Sequence, residues 1–534
     1  MIRAEAWATR QSLTIFSLLL LLFVAAMVAN CHRRPLAYNE IFTLYVSRLP
    51  SSTDIWHALL KGADNHAPLG YLITHFVMRV FGESELSVRI PSIVAVAGGL
   101  ACLFRFTCRS LGKMEALIVI AITIVALWPQ NYHLNARPYG ILLGICGGML
   151  LSWQVATQGN QRRLALAVLA ILSVMAPLLH YYGFLLALPI AGAEISRTYN
   201  ERRFNIGVWA AIASIALPFP LLLPFMRGAR IYAPGFWAFA RWGHLSLLIT
   251  YGRLLATVIL CLLLAVLLSL LLLVVVGRPP RRAQIDKGET HSEPVYSAGV
   301  ILVSSPLLIY VLALVLTHAS ASQYSLQAIF GAAILIAAVS RRCLLFRWSL
   351  IAALVPCLCA QLWDTASGTD NLSMPPILSF LARPVPYKYR WRATVSTIRA
   401  SGLQLAAASR RAALPVVIPS ASRYLRTAYY TRSFADADRF VYLSDPEVAL
   451  SIINFDTEEI ALRRLAPFAN LKVLPYHEFM RTHHQFLLAV MEPQSSEQRF
   501  LWLPTQLARD NAKFQLLDEG HPELLLVTTQ AQVP

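Results

Sequence analysis

The sequence predicts a polytopic α-helical membrane protein of about eleven transmembrane helices, followed by a small soluble α/β domain. Three observations lead there. Hydrophobic residues make up 57% of the 534-residue chain and charged residues only 14%, against roughly 25% charged in soluble domains. The deficit is uneven: residues 1–363 hold nearly every long apolar run, and 364–534 read as ordinary soluble protein. Basic residues also recur in alternate loops between the runs, as membrane topology requires.

The apolar runs lie near 13–29, 88–106, 114–128, 139–157, 164–179, 184–195, 206–225, 254–276, 295–316, 323–339 and 348–363. The first follows the charged stretch Met1–Arg10 and resembles a signal peptide. Its length and the ten runs behind it make it a first span instead. The stretch 164–195 is one long crossing or two short ones, broken at His180-Tyr181-Tyr182-Gly183.

Charge decides that point. If 164–195 crosses twice, Arg3/Arg10, Arg109/Lys113, Arg162/Arg163, Arg197/Arg202/Arg203, Arg278/Arg281/Arg282/Lys287 and Arg341/Arg342/Arg347 all fall on one face. The positive-inside rule makes that face cytoplasmic. Arg227, Arg230 and Arg241 remain as exceptions on the other side. The N-terminus is then cytoplasmic, the C-terminal domain extracytoplasmic, and the longest outer loop spans 30–87. The expected home is a bacterial inner membrane.

The domain boundary is placed at Trp363–Asp364, giving a membrane domain 1–363 and an extracytoplasmic domain 364–534. In the latter, strand-like stretches Pro415–Ile418, Phe440–Leu443, Leu471–Leu474, Gln485–Met491 and Glu523–Thr528 alternate with helical ones at Ser422–Arg432 and Thr457–Phe468. That alternation indicates a small open α/β domain. It carries no glycine-rich nucleotide motif.

Net charge is +18, but the basic residues sit in short loops with no aromatic-interleaved patch, so nucleic-acid binding is not indicated. Eight cysteines lie in or beside apolar runs without paired spacing, which indicates neither a zinc site nor a disulfide framework.

In such a chain the informative residues are polar ones at the membrane boundary. The first outer loop supplies Asn39-Glu40 and Asp64-Asn65-His66, with Arg89 leading into the second span; the second supplies Arg137-Pro138-Tyr139; the third is His180-Tyr181-Tyr182. Glu40 or Asp64 is suited to remove a proton from an acceptor hydroxyl. Arg137 suits a phosphate, because a planar guanidinium grips its oxygens in pairs. Aromatic faces at 180–182 stack on a sugar or line a groove for an isoprenoid chain. Blander roles stand beside these: Glu40 as loop charge, Arg137, His180 and Tyr181 as interfacial anchors, Glu194 as a snorkelling residue. His66, Glu40 and Asp64 have donor types that take a divalent metal, but no motif specifies one and no cofactor is otherwise indicated.

The order Tyr38-Asn39-Glu40-Ile41-Phe42-Thr43, Asp64-Asn65-His66-Ala67-Pro68-Leu69-Gly70-Tyr71-Leu72 and Phe81-Gly82-Glu83-Ser84-Glu85-Leu86-Ser87-Val88-Arg89-Ile90-Pro91-Ser92 resembles the polytopic glycosyltransferases of the C superfamily (GT-C). It is most similar to the branch holding protein O-mannosyltransferases and the lipid A aminoarabinose transferase. Ala136-Arg137-Pro138-Tyr139-Gly140 and His180-Tyr181-Tyr182-Gly183 match further segments, and the resemblance covers about residues 10–340. It implies a GT-C-like fold, a polyprenyl-phosphate sugar donor, an acceptor on the periplasmic face and inversion at the sugar carbon. The acceptor is a cell-envelope lipid, a glycan or a protein. It also implies an Asp-Glu pair after the first span that includes the catalytic base.

Three departures matter. The Asp-Glu pair is Asn39-Glu40 here, His-Pro-Pro is His66-Ala67-Pro68, and a late Arg-Tyr is Gln323-Tyr324. An amide takes no proton, so Glu40 and Asp64 are the candidate bases. Asn39, His66, Arg137, Tyr139, His180, Tyr181 and Tyr324 are the candidate substrate-binding residues. Two other readings stand: a transporter or flippase for a lipid-linked sugar, and a non-catalytic relative acting through its C-terminal domain. The apolar runs are nearly free of charge at their centres, which counts against transport.

Overall fold

The computed structural model describes residues 2–232, 235–236, 245–276, 293–367, 394–433, 439–490, 501–517 and 524–529. Arg241, Arg278, Arg281, Arg282 and Lys287 of the charge argument lie outside them, as do Met491 and Glu523 at the ends of two expected strands. The chain divides into two compact units. One comprises Met1–Cys31, Arg89–Leu222 and Ala240–Tyr387; the other comprises His32–Val88, Leu223–Phe239 and Lys388–Pro534.

The first unit is helical, and each expected apolar run is occupied by helix. Among the described residues eight helices are long and apolar enough to cross a membrane: Ser12–Arg33, Ile90–Ser110, Lys113–Gln130, Tyr139–Gln158, Arg162–Leu179, Ile206–Tyr232, Leu247–Val275 and Leu344–Ala366. A ninth forms if Glu293–Val303 and Ser305–Thr317 count as one span bent by 46°. Pro306, the second residue of the later helix, explains that break, since proline lacks the N–H the preceding turn would bind. The remaining two runs form the helices Ala187–Glu201 and Ala328–Ser340, of 15 and 13 residues. At 1.5 Å per residue they extend only about 20 Å, short of a ~30 Å hydrocarbon layer. Tighter 3-10 turns at Tyr181–Leu186 and Ser322–Ser325 precede them and lengthen both segments. The helix Leu344–Ser367 continues past Trp363–Asp364, so the composition boundary falls in its last turn.

Two features hold this unit together. The helices Ile90–Ser110 and Tyr139–Gln158 meet through glycines. A Cβ added at Gly144 would sit 2.3 Å from the Ala95 carbonyl oxygen, and one at Gly147 would sit 2.5 Å from that of Gly99. Small residues at such spacing let backbones approach, which is how helices associate where lipid removes the hydrophobic drive. Two buried cations are paired with carboxylates. Arg347, 1% exposed, donates to Glu115 at 2.6 Å and to Glu5. Arg197 donates to Glu194, which also accepts from Trp153 Nε1 at 2.9 Å. Glu194 is thus an anchored structural carboxylate. Arg197 and Arg347, counted above as topological charge, are neutralised by partners.

The second unit joins the first loop to the C-terminal region. The loop forms three helices, Tyr38–Ser47, Ser52–Leu60 and Leu69–Phe81. The C-terminal part is an open six-stranded sheet flanked by helices: β1 Val416–Val417, β2 Phe440–Ser444, β3 Val473–Pro475, β4 Gln485–Ala489, β5 Lys513–Leu516 and β6 Leu524–Thr528. Its order is β3-β2-β1-β4-β6-β5, with the first four parallel and β6 antiparallel to both β4 and β5. Val417, Val441, Leu443, Phe486, Leu488, Trp502 and Val527 form its core. β1, β2, β3, β4 and β6 lie where the sequence predicts strands. β5 was not expected, because Lys-Phe-Gln-Leu at a sheet edge exposes all four side chains and offers no buried run.

Candidate functional site

Candidate residues gather in two groups, one in each unit. In the first unit the loop before helix Tyr139–Gln158 is unusually buried for a connection: His133 is 1% exposed and Arg137 6%. Ser92 explains the loop's path. Its hydroxyl donates to the carbonyls of Asn135, at 2.8 Å, and Arg137, at 3.3 Å. Gly140 permits the close approach, since a Cβ there would meet the His133 carbonyl oxygen at 2.4 Å. The motif Ala136–Gly140 is therefore a turn pinned to the start of helix Ile90–Ser110. Arg89, just ahead of that helix, donates to the Cys31 carbonyl at 3.2 Å.

The turn delivers Tyr139 to an aromatic box. Its ring centroid lies 5.7 Å from His180 and 6.0 Å from Tyr324, while His180 and Tyr324 are 4.8 Å apart. Tyr182 adds a wall 5.3 Å from Tyr324, and Tyr181 and Tyr132 stand at the rim, each 6.5 Å from a member ring. His180 is positioned by the end of helix Arg162–Leu179, where its backbone turns extended. Its Nδ1 accepts from the Tyr182 N–H at 3.2 Å, so the neutral ring carries its proton on Nε2. Tyr182 is fixed by donation to the Ala319 carbonyl at 2.5 Å. Arg137 acts electrostatically on the Tyr324 phenol. Five sequence-predicted residues, Arg137, Tyr139, His180, Tyr181 and Tyr324, thus come together with Tyr132 and Tyr182.

In the second unit, Glu40 is fully buried, and its Oε2 accepts from the Ala37 N–H at 2.8 Å. That is the geometry of a carboxylate closing the first turn of its own helix. Asn39 beside it is half-buried. Asp64, 9% exposed, accepts from the Asn65 N–H at 2.8 Å and lies 3.7 Å from His66 Nδ1. His66 Nδ1 also meets Asn65 Oδ1 at 2.7 Å. Asp64 and His66 are therefore a carboxylate–imidazole pair on one turn. Among the described residues no three His, Cys, Asp or Glu side chains stand together as a metal ligand set.

Tyr38 belongs to this group and was not among the predicted site residues. Its hydroxyl is buried and makes no hydrogen bond among the described residues. Burial first, then the charges of Glu458, Tyr232, Asp64 and Glu459, push its phenol well above the ordinary range. Its place before Asn39-Glu40 was the available signal for it. Nothing in the sequence pairs it with Glu458, 420 positions away, because that proximity is tertiary.

Residues 65–225 match the family model described as dolichyl-phosphate-mannose-protein mannosyltransferase. The chain is similar to the crystal structure of ArnT from Cupriavidus metallidurans in the apo state, with a TM-score of 0.50 and 13% identity over 99% of both chains. The structure of ArnT from Cupriavidus metallidurans bound to undecaprenyl phosphate matches with a TM-score of 0.45 and 16% identity, over 98% of this chain and 99% of that one. No curated protein matches the sequence. The resemblance to GT-C glycosyltransferases is borne out by the family match and by the apo ArnT fold. The fold class, polytopic helical with a small C-terminal α/β part, holds as well.

Proposed function

We propose that the chain is a membrane glycosyltransferase that moves a sugar, with inversion, from a polyprenyl-phosphate carrier to a cell-envelope acceptor on the extracytoplasmic face. The observation that carries this reading is the meeting of Arg137 with the Tyr139–His180–Tyr182–Tyr324 box at the ends of separate spans. A guanidinium beside aromatic faces suits a phosphate attached to an apolar chain and a sugar ring. The family match adds a polyprenyl-phosphate donor class.

In this reading Asp64 is the general base. It is a carboxylate oriented by the Asn65 amide with an imidazole alongside; it takes the acceptor hydroxyl's proton and becomes neutral as the acceptor oxygen bonds the sugar carbon and the negative charge leaves with the phosphate. Glu40, the other candidate, is committed to the Ala37 amide and fixes the helix that presents Asn39. The phosphate leaves as an anion needing little protonation, so Arg137 with phenol donors replaces an acid. Asn39, Tyr181 and Tyr139 contact substrate. Orientation rests on the charge pattern, with the N-terminus cytoplasmic.

Purified protein in lipid, given labelled polyprenyl-phosphate sugars, tests the donor site. Arg137→Gln is expected to weaken donor binding by about tenfold or more, the loss of a charge-assisted phosphate contact. Equal binding by wild type and variant contradicts the reading. Asn39 in place of an acid also favours a relative that binds without transferring. Donor binding with no transfer to any envelope acceptor establishes that alternative.

A further inference from the structure

We infer that Tyr430, in the C-terminal part of the chain, is a positioning residue for the helix that carries Asn39 and Glu40. Its phenol oxygen accepts from the Leu36 N–H at 2.8 Å, across 394 positions of sequence. Leu36 is 0% exposed and Tyr430 4%, so no solvent replaces that acceptor. The very next amide, Ala37 N–H, is held by Glu40 Oε2. Two consecutive peptide groups at the entry of helix Tyr38–Ser47 are thus fixed, one from the C-terminal region and one by the helix's own carboxylate.

The surroundings reinforce the hold. Tyr429, beside Tyr430 on helix Ala421–Tyr430, meets Tyr45 of the loop helix edge-to-face at 6.3 Å. Arg432 stacks 4.1 Å over the Tyr429 ring and pairs with Glu83 at 2.7 Å. A buried amide left without an acceptor forces the chain to shift. Because Tyr38 and Asn39 follow directly, that shift displaces groups of the reaction site. The C-terminal region is in this sense part of the site's construction, not an appended module. The inference rests on the reading above that the first loop carries reaction groups.

Tyr430→Phe in the full chain keeps the ring and removes only the hydroxyl. Hydrogen exchange at amides 36–40 is expected to quicken about tenfold, while exchange in β4 stays unchanged and reports a folded domain. Transfer is expected to lose about tenfold or more in kcat with donor KM unmoved, as misplacement of reacting groups requires. Arg432→Gln, which removes the half-exposed ion pair with Glu83 and the stacking on Tyr429 but leaves the Tyr430 phenol on the Leu36 amide, is expected to stay within about twofold in both measurements. Unchanged exchange at 36–40 overturns the inference, and so does faster exchange with normal kcat. Asp64→Asn separates the failures. If it abolishes transfer while Tyr430→Phe does not, only the positioning role falls; if it leaves transfer intact, the functional reading falls.

Discussion

Arg137 shows how the setting of a single residue supports the role proposed for it. An arginine before an apolar run is ordinarily a membrane anchor, yet this one is 6% exposed and lies two residues ahead of Tyr139 of the aromatic box. Its value then lies in the planar fork rather than in charge alone. Arg137→Lys is expected to raise donor KM about tenfold at unchanged fold, since a lysine offers a point charge without paired donors. Steady-state kinetics against donor concentration checks this, and wild-type KM in the variant contradicts it. Arg137, Tyr139 and His180 stood out in the sequence as positions because they lie at the edges of apolar runs, where polar residues are informative. Glu40 was legible as a position but not as a role, since only coordinates show its carboxylate on the Ala37 amide. The Tyr38–Glu458 and Tyr430–Leu36 relations were not legible. They depend on how a distant sheet domain folds against the loop.

Among elements, helix contacts and strand ends carry the argument. Helices Ile90–Ser110 and Tyr139–Gln158 both lead away from the pinned turn, so their glycine contact sets where Arg137 and Tyr139 stand. Gly144→Leu places a side chain into the Ala95 carbonyl, and such overpacking costs about 1–3 kcal/mol. A lowered thermal midpoint together with weaker donor binding is expected; an unchanged midpoint rules out the close contact. In the sheet domain, Glu459 is 3% exposed and accepts from Trp502 Nε1 at 2.8 Å and the Asp445 N–H at 3.1 Å, with the Tyr442 hydroxyl also donating. Burial raises its carboxyl above the ordinary range, and these hydrogen bonds only partly oppose it. A carboxyl raised on folding favours the folded state while protonated. That contribution is complete below the ordinary glutamate value of 4.5 and is lost as pH rises through the raised one. Protection of β2 amides in the full chain is therefore expected to fall over that window, beyond the intrinsic pH effect. Glu459→Gln is expected to flatten the fall; an identical slope in both proteins contradicts it. The strands themselves were readable from short apolar stretches, whereas β5, with four exposed side chains, has no burial pattern to read.

For the whole molecule, composition and apolar runs made the polytopic helical class readable, because lipid leaves few alternatives to helices. Charge-based topology is less direct, since Arg197 and Arg347 are consumed by buried ion pairs. Sidedness is open to a separate measurement. A phosphatase that is active only outside the cytoplasm, fused to the C-terminus, is expected to be active; activity only in an N-terminal fusion reverses the orientation. Chemistry remains the central claim. Its most direct test is transfer of a labelled sugar from polyprenyl phosphate to envelope acceptors by the reconstituted chain, with the anomeric configuration of the product determined. The account predicts an inverted linkage, stoichiometric release of polyprenyl phosphate, and a loss of about 100-fold or more in Asp64→Asn, the scale of a missing general base. A retained configuration, or equal rates in wild type and Asp64→Asn, would contradict it.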